Sequence, residues 1–147
     1  TIDGTLLPGD IGIGAAKFDS DLTFGPTATT GIQLASASSF DTINVGGTLT
    51  LDGTITVTTT GGYVVPLGAS YQIISWNVLV SSGFNPSTDF DFSGATMAPD
   101  VHWDTAQFLT NGTLVAVPEP AEWRMILLGL SALALLRRRR ISGIIYE

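Results

Sequence analysis

The chain contains no cysteine, which excludes disulfide bonds and thiolate metal ligands but is compatible with export. Histidine occurs once, as His102, beside Trp103 and Asp104. A Ser-His-Asp site can be drawn on paper from these residues, but no nucleophile-elbow motif or second histidine supports it. We therefore interpret His102 as a turn or strand residue near a packed tryptophan. The sequence predicts a protein that is not an enzyme and needs no cofactor.

Positive charge is scarce before residue 118, where Lys17 is the only basic residue. The chain has thirteen acidic and six basic residues and a formal net charge of −7, and the other basic residues lie between positions 124 and 140. Residues 1–116 therefore lack the cations that would neutralise phosphates, which excludes nucleic acid as a partner. Because few salt bridges can form, stability must come from burial and backbone hydrogen bonds.

The acidic residues before Val117 are all aspartates, whose short carboxylates bond to nearby backbone donors and favour turns. Asp19 and Asp21 are two positions apart, as are Asp89 and Asp91, a spacing that can suit Ca²⁺. Neither pair lies in an EF-hand loop or a glycine-aspartate nonapeptide repeat. We interpret them as solvated turn carboxylates and predict no metal site. The aspartates are Asp3, Asp10, Asp19, Asp21, Asp41, Asp52, Asp89, Asp91, Asp100 and Asp104.

Short alternating segments rich in Thr, Ser and Gly predict that residues 1–116 form an acidic all-β domain. Residues 48–51 and 54–58 alternate polar and apolar side chains and are joined by Asp52-Gly53. Taken locally, this pattern predicts a two-residue hairpin with a type I′ turn. Residues 11–13 and 107–109 are among the other predicted strands. Residues 81–99 break the pattern, and we expect a long loop there that packs on the domain through its phenylalanines.

A Gly-Thr-apolar triplet recurs at residues 4–6, 47–49, 53–55 and 112–114. Short strands with glycine corners favour a short-strand β-solenoid, similar to a parallel β-helix, in which each coil buries its apolar face against the next. Residues 4–9, 41–45 and 111–114 resemble the C-terminal part of autotransporter-passenger-like β-helices, and this resemblance implies the same fold. A β-sandwich that contains the Asp52-Gly53 hairpin is the alternative.

The last part of the chain begins with Val117-Pro118-Glu119-Pro120, and its two prolines lack backbone donors and fix φ. Residues 117–120 are therefore expected to form an extended, accessible linker. Residues 121–136 are predominantly apolar and would make one C-terminal transmembrane helix of about 24 Å. By the positive-inside rule, residues 137–147 form a basic cytoplasmic tail. The predicted anchor residues are Trp123, Met125, Ile126, Leu127, Leu128, Leu130, Leu133, Leu135 and Leu136, and the residues predicted to set topology are Arg137, Arg138, Arg139 and Arg140.

The order of these three parts resembles the PEP-CTERM sorting signal of Gram-negative bacteria, and the match covers residues 117–140. The resemblance implies recognition by an exosortase, a membrane protease that cleaves near the motif and releases its substrate to the cell surface or extracellular matrix. It implies that Pro118, Glu119 and Pro120 form the sorting and processing motif. The chain begins at Thr1 without methionine or an apolar leader, so we expect that a signal peptide was removed or that residues precede it.

These features give one main functional hypothesis and two alternatives. The main hypothesis is a non-enzymatic surface or matrix protein, exported across the inner membrane, held by its helix in membrane lipid with the β-domain in the periplasm, and then released. Because the chain continues past the arginines to Glu147, the first alternative is a permanently anchored accessory subunit of an inner-membrane complex, or a self-associating one. The second is a polysaccharide-binding domain with Trp76, Trp103, Tyr63 and Tyr71 as an aromatic platform; these residues can equally belong to the core.

Overall fold

A computed structural model of the chain describes residues 1–120. Within this part, eleven strands and one four-residue helix are present, so the predicted all-β class is confirmed. The chain divides after Val117 into a β-domain, Thr1–Val117, and the segment Pro118–Glu147. The elements are β1 (Thr5–Leu6), β2 (Ala15–Phe18), β3 (Leu22–Thr23), β4 (Thr29–Leu34), β5 (Thr42–Leu51), β6 (Thr54–Thr59), β7 (Ser70–Gln72), β8 (Ile74–Ser81), β9 (Phe90–Gly94), β10 (Val101–Asp104), α1 (Phe108–Asn111) and β11 (Thr113–Pro118).

Two parallel sheets receive the strands in alternation along most of the chain. The first sheet has the order β1-β4-β6-β9, and all its pairs are parallel. In the second sheet β2 and β3 pair with one edge of β5, and β8 pairs with the other edge, again in parallel. Each strand thus pairs with strands that come well before or after it in the chain.

A third, smaller sheet has the order β10-β11-β7 and brings the C-terminal end of the β-domain next to its middle. Strand β11 runs antiparallel to β7, with Leu114 opposite Tyr71. Helix α1 ends at Gly112, whose positive φ of 71° and N–H bond to the Phe108 carbonyl turn the chain directly into β11. The glycine at this position therefore fixes how the last strand enters the sheet.

The core consists of inward-facing side chains that stack from one strand to the next. In the second sheet, Leu22 is in register with Leu49, and Leu49 with Leu79. Leu22 and Leu49 are buried, whereas Leu79 on the last strand of the sheet is partly exposed. An aromatic cluster packs further along the chain, where Phe90 lies 4.7 Å from Phe108 between ring centroids.

The predicted Asp52-Gly53 hairpin is wrong. Strand β5 belongs to the second sheet and β6 to the first, so the two residues form a corner between sheets instead of a turn between paired strands. A type I′ turn needs positive φ at both central residues, but only Gly53 has it, at 81°. The Asp52 carboxylate accepts a hydrogen bond from the Gly53 N–H at 2.8 Å, which stabilises the corner.

Three other local predictions are also wrong, for identifiable reasons. Residues 11–13 form no strand but lie in and just after a turn, because Gly9 and Gly14 permit backbone approaches that a Cβ would block. Residues 107–109 contribute to α1, since the capping Gly112 ends a helical turn there. Within the expected loop of residues 81–99, Phe90 and Phe92 lie on β9, which continues the first sheet. Phe84 is buried, as expected for packing on the domain.

Candidate functional site

The motif Pro118, Glu119 and Pro120 lies where β11 ends, and all three residues are exposed. Two positions earlier, Ala116 is buried and exchanges backbone hydrogen bonds with the third sheet's neighbouring turn: its N–H donates to Ala69 at 2.8 Å, and its carbonyl accepts from Gly68 at 2.8 Å. The motif therefore follows directly on a firmly bonded strand while remaining accessible. Cleavage within it would leave the bonds of Ala116 intact.

The rest of the predicted sorting signal lies outside the described residues. This applies to the anchor residues from Trp123 to Leu136, to the four arginines that were predicted to set topology, and to the transmembrane helix itself. Within residues 1–120, no helix has the length and apolar character needed to cross a membrane.

His102, Trp103 and Asp104 lie on β10, in agreement with the interpretation of His102 as a strand residue near a packed tryptophan. The Trp103 ring stacks on Phe92 with centroids 5.2 Å apart, and the Asp104 carboxylate accepts the Ala106 N–H at 2.8 Å. The buried His102 Nδ1 and Trp103 Nε1 have no hydrogen-bond partner within residues 1–120. The Asp104 carboxylate thus stabilises a turn, and His102 and Trp103 are residues of a packed strand.

The four aromatic residues considered for glycan binding do not form an exposed platform. Tyr71 is fully buried, and its hydroxyl lies 2.7 Å from that of Tyr63. Burial, followed by the hydrogen bond with Tyr63, raises the pKa of the Tyr71 hydroxyl well above its ordinary value. Trp103 packs edge-on against Tyr71 at 5.8 Å, and Trp76 packs against the core. Their contacts are those of core residues.

The carboxylates of Asp52, Asp91 and Asp104 accept backbone N–H groups one or two residues further along the chain, as predicted from the choice of aspartate. Asp21 accepts the Thr48 N–H at 2.7 Å, next to the glycine pair at which the pairing of β5 with β8 shifts register. Asp19 instead forms an exposed ion pair with Lys17, at 2.6 Å. Among residues 1–120, no three His, Asp or Glu side chains lie close enough together to hold a metal ion.

Asp41 is the most deeply buried of these carboxylates, at 2% exposure. Its Oδ1 accepts the Gly14 N–H at 2.7 Å, and its Oδ2 accepts the Gln33 N–H at 2.9 Å. Its own N–H donates to the Gln33 carbonyl at 2.9 Å. One side chain thus joins the loop before β2, strand β4 and the start of β5.

In the second aspartate pair Asp91 is exposed and Asp89 is partly exposed, and both accept local hydrogen bonds. Asp89 accepts the Asn85 N–H at 2.6 Å and the Thr88 hydroxyl at 2.8 Å, and Asp91 accepts the Ser93 N–H at 2.9 Å. The Asn85 bond first, and then the Thr88 bond, lowers the pKa of Asp89 below 3.8. Bonds from Ser93, through its hydroxyl first and then its backbone, likewise lower the pKa of Asp91.

These shifts predict how the loop titrates. Because both pKa values are depressed in the folded state, the stabilisation is complete above about pH 4 and is lost as pH falls through the folded values. Carboxyl NMR titration should find both groups below 3.8. Thr88→Val should raise the pKa of Asp89 only part of the way, since the Asn85 bond remains, and should leave Asp91 unchanged. A titration in which Thr88→Val leaves Asp89 where it is would contradict the assignment.

Neither a scan against protein-family models nor a search of curated proteins found a match to this chain.

Proposed function

We propose that this chain is a non-enzymatic surface or extracellular-matrix protein of a Gram-negative bacterium, exported and then processed at a C-terminal sorting signal. The observation that carries the proposal is the direct succession of Val117-Pro118-Glu119-Pro120, an apolar segment and four arginines, as in PEP-CTERM signals. The exposure of Pro118, Glu119 and Pro120 at the end of β11 supports it, because a protease must reach its site. The implied partners are an exosortase-type protease and membrane lipid.

We further propose that the β-domain is a short β-solenoid. The support is the pairing pattern: Thr5 pairs with Thr29, and Thr29 with Thr54, always in parallel. A chain that visits two parallel sheets in alternation is what coil stacking requires. The hairpin on which the β-sandwich alternative relied is absent at Asp52-Gly53, since β5 and β6 lie in different sheets.

A structural role suits the way the polar residues of this domain are used. Carboxylates that might otherwise do chemistry, such as Asp41 and Asp104, accept backbone N–H groups. The aromatic side chains that might bind a ligand pack against one another. These side chains therefore stabilise the domain's own backbone and core, as expected of a scaffold.

The test compares Glu119→Ala with Glu122→Ala, which removes the same type of side chain three positions later. Each full chain is expressed in a Gram-negative host with and without an exosortase-type protease, and membrane-held and released protein are quantified. Losing one charge-assisted contact, worth about 1.5–3 kcal/mol, should slow processing roughly tenfold or more for Glu119→Ala alone. Equal processing of both variants would overturn the assignment of the motif.

The same experiment addresses the alternative of a permanently anchored subunit. In that case the full chain stays in the membrane fraction with or without the protease, and it co-purifies in detergent with a stoichiometric membrane partner. Release that depends on the protease would rule out permanent anchoring.

A further inference from the structure

Strand β8 is the last strand of the second sheet, and one of its edges is open. Along the other edge it pairs with β5, from Ile74 to Ser81. Near its start the open side is covered, because the N–H groups of Ile73 and Ile74 donate to the Gly112 carbonyl. Further along β8, Val78, Leu79 and Val80 pair with β5 and with no other strand in residues 1–120.

The side chains at this edge are apolar and incompletely covered. Val78 and Val80 point outward and are 54% and 47% exposed. Leu79 points inward and continues the stack of Leu22 and Leu49, yet it is only partly buried, because it is the last member of the stack. Another strand alongside β8 would cover Leu79 and continue the apolar outer face.

Charge distinguishes this edge from the rest of an acidic molecule. No charged residue occurs between Asp52 and Asp89 in the sequence, and β8 also has no lysine or proline, the residues that commonly block pairing at an edge. At the opposite end of the same sheet, β2 carries Lys17 in its ion pair with Asp19. Two copies that pair along β8 therefore place no like charges of this strand opposite each other.

We propose that β8 is a self-association surface, on which β8 of a second copy pairs antiparallel about a two-fold axis at Leu79. The sequence Val78-Leu79-Val80 is symmetric about its centre, so each Val78 faces Val80 of the second copy and the two Leu79 side chains face each other. A two-fold pairing satisfies both open edges at once and is closed, as expected for a dimer. A second copy that added to the opposite end of the same sheet would instead meet β2, which carries the charged Lys17.

The oligomeric state of the full chain in mild detergent tests this surface, with the detergent mass subtracted. The wild type should be a dimer, and Val78→Lys should weaken association at least about tenfold by placing a charge in the pairing surface. The matched control is Leu67→Lys, which alters another apolar side chain that is 58% exposed but belongs to the turn before β7 and not to β8, and it should leave the dimer intact. Association through the C-terminal segment would persist in both variants and overturn the proposal, as would a monomeric wild type.

Cross-linking tests the antiparallel register, and the absence of native cysteine makes the result specific. Opposite residues in an antiparallel pair lie within disulfide distance, whereas diagonal ones are about 7–8 Å apart. A mixture of Val78→Cys and Val80→Cys chains should therefore form a disulfide dimer on mild oxidation, and each variant alone should not. Cross-linking of Val78→Cys with itself would indicate parallel pairing and contradict the proposal.

Discussion

Replacement of Asp41 by alanine is expected to lower the free energy of unfolding by about 3–6 kcal/mol, since two hydrogen bonds to a charged acceptor contribute roughly 1.5–3 kcal/mol each. The carboxylate is buried and holds the N–H groups of Gly14 and Gln33. Without it, both donors would lie unsatisfied in the interior. Because the two donors belong to different segments, the loss of these hydrogen bonds should separate the loop before β2 from β4.

Urea unfolding of the full chain, followed by fluorescence, measures this effect. Asp41→Asn keeps the shape and one acceptor oxygen, so its free energy of unfolding should fall between that of the wild type and that of Asp41→Ala. Asp19→Ala is the control, because it removes an exposed carboxylate that forms an ion pair with Lys17 at the surface, and it should change stability by about 0.5 kcal/mol or less. Equal costs for Asp41→Ala and Asp19→Ala would show that the buried carboxylate does not join these segments.

Replacement of Gly53 by alanine should cost about 3 kcal/mol, from two sources. Its φ of 81° is a conformation that costs an L-residue about 1–2 kcal/mol. In addition, a Cβ at this position would lie 2.3 Å from the Ala28 carbonyl oxygen, which belongs to the backbone of the neighbouring corner. Overpacking of this kind typically adds 1–3 kcal/mol, roughly.

Gly68→Ala separates the two sources. Its φ of 82° matches that of Gly53, but a Cβ there would have no atom within 4 Å among the described residues. It should therefore show the conformational cost alone, about 1–2 kcal/mol. The difference in stability between the two variants, from thermal or urea unfolding, measures the energetic cost of placing a Cβ against the Ala28 carbonyl. Equal losses of stability would mean that the backbone at Ala28 moves to accommodate the Cβ at no energetic cost.

The Asp52-Gly53 corner illustrates what a local pattern can predict in this protein. Glycine permits the positive φ found at Gly53, and the end of one strand at this position could be predicted from the residue type. Which strand pairs with which depends on residues far away: β6 takes Thr29 and Thr30 of β4 as neighbours, not the adjacent β5. Alternation within a strand carries no information about that choice.

The role of aspartate in turns was predictable from residue type, whereas the position of Asp41 was not. Its partners Gly14 and Gln33 are distant in sequence and meet only once the strands are paired. The proposed sorting motif is the reverse case. Its identity rests on sequence order alone, while its exposure beside the buried Ala116 depends on how β11 joins the third sheet. The open edge of β8 likewise emerges only from the pairing pattern.

The central claim is that Pro118, Glu119 and Pro120 mark the place where the chain is processed. Intact mass spectrometry of the protein recovered from the surface or culture medium of its native host tests it most directly. We predict a mature C-terminus at or near the motif, with β11 retained up to Ala116. A released population that still ends at Glu147 would contradict the claim.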